Sequence, residues 1–220
     1  MEATRAAALA RYSTGEETWN TVTHGIGLFL SLGGLAVLVT LASSNGSALH
    51  IVSCTVYGAS LVVLYAASTL YHGARNPRRK SALRVMDHCA IYVLIAGTYT
   101  PFTLVVIQGG WGWTLFGLVW GMAVLGLLGK VLLADRFRAA SLVTYLVMGW
   151  LAVIAIKPAL ATIPTGGLLW LLVGGLSYTG GTVFYSSKTL PYNHAVWHVF
   201  VLAGSLCHYL AVVLYVVPSA

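Results

Sequence analysis

Charge is what this chain has least of. Only 8% of its 220 residues are Asp, Glu, Lys or Arg, against about 25% in ordinary soluble domains. That scarcity excludes a soluble enzyme and a charge-rich disordered chain. Several familiar chemistries are missing as well. There is no HExxH, no GxSxG elbow and no GxxxxGK(S/T) loop, which removes the zincin, serine-hydrolase and P-loop readings. The three cysteines, Cys54, Cys89 and Cys207, form no CxxC pair and read as small apolar filler rather than a zinc site. No tandem repeat or low-complexity tract is present.

What is there is hydrocarbon. Hydrophobic residues make up 58% of the chain, and mean hydropathy is +0.84. A spanning helix needs about 20 mostly apolar residues. Seven such stretches run over Trp19–Leu41, Leu49–Tyr71, Val85–Ile107, Trp113–Leu133, Ala140–Ile156, Leu168–Ser186 and Ala195–Val217. They are too long and continuous for barrel strands, and every backbone group in lipid must be paired, so each is expected to be a helix. The expected fold is an all-α membrane protein, a seven-transmembrane helix bundle. Residues 1–16 form a short cytoplasmic segment and residues 17–220 a single domain. The Ala-rich patch Ala6 to Ala10 is too short for a signal peptide, so the first span is expected to act as an uncleaved anchor.

The +7 charge is a topology signal. Arg5, Arg11, Arg75, Arg78, Arg79, Lys80, Arg84, Lys130, Arg136, Arg138 and Lys188 fall on one side of the spans, and Lys157 alone falls on the other. The positive side is expected to be cytoplasmic, with the N-terminus inside and the C-terminus outside. This placement argues against nucleic acid and for contact with anionic lipids.

Ionisable residues within spans are functional candidates. Glu17, Asn20 and His24 form a polar stripe opening the first span. Ser68 and His72 share one face at the end of the second. Asp87 and His88 open the third, and His194 and His198 open the seventh. All lie in the cytoplasmic half. His50 and His208 alone among the histidines lie in the outer half. His194 and His198 are spaced i, i+4, which puts two imidazoles on one helix face. With His72 they make a three-histidine set that suits tetrahedral zinc with one open position. The plain alternative is a group of interfacial histidines bonded to water and headgroups. Asp87 needs a cation, a proton or hydrogen bonds. A metal-bound water, a histidine or Arg84 one turn earlier would each serve. His88 is rotated ~100° from Asp87 and is assigned to an interfacial or supporting place. His24 reads as a packing and hydrogen-bonding residue. Gly117 and Gly121 read as a close helix-packing motif. Gly97-Thr-Tyr-Thr-Pro101 reads as a proline kink whose threonines cover freed carbonyls, with Tyr99 not assigned to a cavity.

Glu17-x-x-Asn20-x-x-Thr23-His24, Ser68-x-x-x-His72, Met86-Asp87-His88 running on to Pro101, and Pro191-Tyr-Asn-His194-x-x-x-His198 together resemble the signatures of the hemolysin III family. That family is related to the progestin and adipoQ receptors, including the adiponectin receptors, and to a wider superfamily with the alkaline ceramidases. The resemblance implies a seven-helix fold with Zn2+ near the cytoplasmic side. His72, His194 and His198 would be ligands, Asp87 would hold a zinc-bound water, and Ser68 would stand beside it. It also implies a bacterial inner membrane.

Three functions follow as expectations. The first is a zinc-dependent intramembrane hydrolase of a lipid amide or ester, drawing its substrate from the cytoplasmic leaflet and using zinc-bound water. The second is a receptor or lipid sensor with structural zinc, favoured if Asp87 closes the ligand shell. The third is a transporter or pore, which would need polar residues at several depths.

Overall fold

In the computed structural model, the described residues are 12–133, 138–187 and 189–219. Arg5, Arg11, Arg136 and Lys188 of the topology argument, and residues 1–11 of the N-terminal segment, lie outside them. Eight α-helices are present among the described residues, and no strand. They are α1 (Thr14–Asn45), α2 (Ala48–Gly73), α3 (Pro77–Pro101), α4 (Gly109–Leu133), α5 (Arg138–Gly149), α6 (Ile156–Thr162), α7 (Thr165–Ser186) and α8 (Asn193–Tyr215). They build seven stretches long and apolar enough to cross a membrane, as the sequence predicts. α2 and α3 are the most enclosed, followed by α8, so the centre of the bundle is where α2, α3 and α8 pass.

The helix starts explain how the polar end is assembled. Ser13 caps α1: its Oγ accepts the Glu16 N–H at 3.3 Å, while Glu16 Oε2 accepts the Ser13 N–H at 2.8 Å. The other oxygen of Glu16 accepts the Tyr192 N–H at 3.1 Å and ties this start to the loop before α8. Asn76 Oδ1 accepts from Arg78 and Arg79 N–H, with Pro77 in the first turn of α3. Tyr192 takes a left-handed conformation (φ 56°) to enter α8. Asn193 then donates to the Phe184 and Ser187 carbonyls at the end of α7. The starts of α1, α3 and α8 and the end of α2 thus meet at one end of the bundle.

Three local expectations change. The fifth span is broken: α5 stops at Gly149, a 3-10 turn runs over Leu151–Ala155, and α6 follows. Tyr99 fills the break, its hydroxyl accepting the Ala152 N–H at 2.9 Å and donating to the Met148 and Gly149 carbonyls. Tyr99 does therefore face the interior cavity. Pro101 leads into a π-helical stretch, Phe102–Ile107. The threonine hydroxyls nearby bond the carbonyls of Leu94, Ala96, Tyr99 and Thr100, not that of Gly97, which the proline leaves without its N–H. A Cβ at Gly117 or Gly121 would meet nothing within 4 Å among the described residues. α4 packs inward through Leu115, Val119 and Ala123, which turns the two glycines outward, so they are not a packing motif within this chain.

Candidate metal centre

His72 comes from the last turn of α2; His194 and His198 come from the first two turns of α8. All three are buried, and one ring nitrogen of each lies within 4.8 Å of the others. Ring centroids are 5.0 Å apart for His72 and His194, 5.1 Å for His72 and His198, and 4.6 Å for His194 and His198.

The tautomers of two of these rings follow from their partners. His72 Nδ1 is 2.7 Å from Glu17 Oε2, and a carboxylate only accepts, so Nδ1 carries the proton. His198 Nδ1 is 3.1 Å from the Asn20 carbonyl oxygen, which forces the same tautomer. Thr23 Oγ1 also approaches that nitrogen at 3.1 Å. As neutral imidazoles both rings keep a lone pair on Nε2. In His72 that Nε2 is buried with no hydrogen-bond partner among the described residues. A buried acceptor left so costs about 1–3 kcal/mol. A ring held by Nδ1–H with an unspent Nε2 is how a histidine is prepared for a metal. The donor set fits zinc, with neutral imidazoles from an i, i+4 pair and a facing helix.

The stripe on α1 serves the two ligand-bearing helices separately. Glu17 holds His72, whereas Asn20 and Thr23 hold His198. His24 stacks on the His198 ring, at 3.4 Å between centroids and 10° between planes. The Asn20 side chain, both nitrogens of His24 and the Ser68 hydroxyl are buried without hydrogen-bond partners among the described residues. Of these, His24 and Ser68 line the cavity that His194 and His198 also line.

Asp87 is buried but does not belong to the group whose donor atoms lie within 4.8 Å. Its carboxylate lies 3.5 Å from His88 Nδ1. His88 Nδ1 is itself 2.7 Å from the Arg84 carbonyl oxygen, and His88 lines the same cavity as His194 and His198. Asp87, Ser68, His24, His194 and His198 all line one cavity of about 140 Å³. The cavity continues past Tyr99 and Trp150 to Tyr178 and His208. At ~10–15 Å³ per water it has room for on the order of ten waters, or part of a single acyl chain. α5 and α7 form its far wall, and their backbones hardly approach each other. Between them the Trp150 indole N–H donates to Thr179 Oγ1 at 3.0 Å.

Lys80 and Tyr12 were not singled out for this site from the sequence, and Thr23 entered only within the family signature. Lys80 Nζ is 2.8 Å from Glu17 Oε1. Tyr12 stacks on His194, with centroids 5.0 Å apart. Thr23 reaches His198. A lysine in the first turn of a helix, against the helix dipole, is the one sequence signal that could have flagged Lys80.

Residues 12–209 match the family described as haemolysin-III related. The chain is 44% identical over 205 residues to "Hemolysin-3" of Bacillus cereus, covering 93% of this chain and 94% of that protein. It is 45% identical over 206 residues to "Hemolysin-3 homolog" of Bacillus subtilis (strain 168), covering 94% and 97%. It is also 31% identical over 228 residues to the human "Monocyte to macrophage differentiation factor", covering 98% and 91%. On fold, span number and sequence alike, the chain belongs to the haemolysin-III related family of multi-pass integral membrane proteins.

Proposed function

We propose that this protein is a zinc-dependent intramembrane hydrolase acting on a lipid amide or ester. His72, His194 and His198 would hold the metal. The observation that carries the reading is a three-imidazole cluster two of whose rings, His194 and His198, line a cavity that also holds Asp87 and Ser68. Bound there, zinc would supply an activated water at neutral pH and a Lewis acid. Asp87 stands outside the three-histidine group, so its carboxylate would be available to take a proton. The Ser68 hydroxyl has no partner among the described residues and can donate to a carbonyl oxygen of the substrate. Apolar walls from Leu64, Ile91, Leu94, Ile95 and Val201 would exclude water and seat one chain. The thin contact between α5 and α7 gives that chain a route in from the bilayer.

With the positive side inside, this end of the bundle would face the cytoplasm and the substrate would come from the cytoplasmic leaflet, in the bacterial inner membrane that the family resemblance implies. A second reading is also supported by an observation. The three ligands come from only two helices, α2 and α8, so a metal there would clamp them together in a receptor or lipid sensor. Zinc content and lipid turnover, measured on wild type and His198→Ala, separate these readings. About one zinc in wild type, a clear loss in the variant, and release of fatty acid from lipid amides or esters support the hydrolase. Full zinc without turnover across broad lipid screens leaves the clamp. No zinc in wild type purified without chelators removes both.

A further inference from the structure

Lys80 is a cation in an unfavourable place. It lies in the first turn of α3, where the helix dipole opposes positive charge, and it is only 8% exposed, whereas Arg78 and Arg79 beside it are exposed. A buried ammonium is tolerated only when it is paired and hydrogen-bonded. Its partners are specific. Nζ is 2.8 Å from Glu17 Oε1, while the other oxygen of that carboxylate takes the Nδ1–H of His72 at 2.7 Å. Nζ also donates to the Tyr71 and Ala74 carbonyls, both at 3.4 Å, at the end of the helix that carries His72. It stands 5.1 Å over the Tyr71 ring.

We infer that Lys80 and Glu17 are positioning residues for the metal centre, a fixed ion pair that holds His72 with Nε2 turned inward. The inference rests on the metal reading above. Glu17 alone would not hold the ring. Its side chain is 16% exposed and lies at the end of the bundle, where water competes for it. Lys80 pins one oxygen and leaves the second for the imidazole. Lysine is a point charge with separate donors, so it can engage one oxygen alone. An arginine there would tend to grip both oxygens as a fork and take the second from His72. Charge by itself is therefore not what this position requires.

The test is zinc affinity, read by competition with a fluorescent chelator, on detergent-purified wild type, Lys80→Met, Lys80→Arg and Glu17→Gln. A second readout is the nitrogen NMR signature of His72 in metal-free protein, assigned with His72→Gln. Thermal unfolding of each metal-free variant checks that it is folded. Lys80→Met and Glu17→Gln are expected to weaken zinc by roughly ten- to hundredfold, the range for outer-shell partners, and the double variant by no more than the worse single change. Lys80→Arg, which keeps the charge, is expected not to restore affinity. His72 should show one tautomer in wild type and a mixture in the variants. A Lys80→Met protein with affinity within twofold of wild type, or an unchanged His72 tautomer, overturns this assignment alone. Wild type that binds no zinc overturns the metal reading and this assignment with it.

Discussion

The imidazoles of His24 and His198 lie face to face, 3.4 Å apart at their centroids and 10° from parallel. Asn20 and Thr23 hold one edge of the His198 ring, and His24 closes one of its faces. One turn of α1 thus restrains a candidate ligand in both rotation and tilt. The stack uses the shape of His24, since neither of its nitrogens has a partner among the described residues.

Shape and polarity at position 24 can be separated. His24→Ala should loosen the His198 ring and weaken zinc roughly tenfold, the low end for an outer-shell partner. His24→Phe keeps a flat ring against His198 and should cost clearly less. A competition titration of both variants checks this. Equal losses in Ala and Phe would mean that His24 acts through its nitrogens instead.

Asp87 should affect turnover far more than metal content. It lies in the cavity wall but outside the three-histidine group. If the protein is the hydrolase proposed above, Asp87→Asn keeps size and removes the proposed base, so hydrolysis should fall by about 10²–10⁴, the usual worth of general acid–base catalysis. Zinc per protein should stay near the wild-type value. Loss of zinc on Asp87→Asn would instead make Asp87 a ligand and favour the closed, structural site.

Much of this was legible in the sequence because lipid leaves few choices. Seven apolar runs can only be helices, and short loops force their ends to alternate. That alone puts His72, Asp87, His194 and His198 at one depth. What the sequence could not assign was partnership across helices. Glu17 and Asn20 sit on one stripe, yet they serve histidines on two different helices. Lys80 read as one more topology charge because its place against the helix dipole is a weak local signal and its partner Glu17 lies on another helix. The break at Gly149 was missed because its compensation is distant: the hydroxyl that fills it belongs to Tyr99 on α3. The middle of the bundle looked apolar because tyrosine counts as hydrophobic. Tyr65 and Tyr178 in fact both hydrogen-bond Ser205 at 2.8 Å.

The Tyr99 hydroxyl can be removed with little change in volume. It is the partner of the Ala152 N–H at the point where the fifth span gives up its helical hydrogen bonds. Tyr99→Phe leaves that donor without its partner inside the membrane region. The expected cost is about 1–3 kcal/mol, seen as a fall of several degrees in the thermal midpoint. Zinc affinity should not change, because Tyr99 touches none of the three histidines. An unchanged midpoint would show that the break is satisfied by other means.

Two glycines on α1 give opposite expectations from the same substitution. A Cβ at Gly27 would lie 2.5 Å from Tyr65 Cδ1 and 2.9 Å from Leu202 Cδ2, whereas a Cβ at Gly33 meets nothing within 4 Å. Tyr65 cannot retreat cheaply, because it is buried and its hydroxyl is held by Ser205. Gly27→Ala should therefore either part α1 from α2 or push Tyr65 off Ser205, at about 1–3 kcal/mol. Gly33→Ala gains only the better helix propensity of alanine, about 1 kcal/mol, and should be neutral or mildly stabilising. Thermal unfolding of the two variants side by side reads the contrast. Because α1 also carries Glu17, Asn20 and His24, parting it from α2 should weaken zinc as well. A shift confined to Tyr65 should lower the midpoint and leave zinc affinity alone. The pair of measurements thus reports which of the two contacts, helix against helix or ring against Ser205, is the firmer.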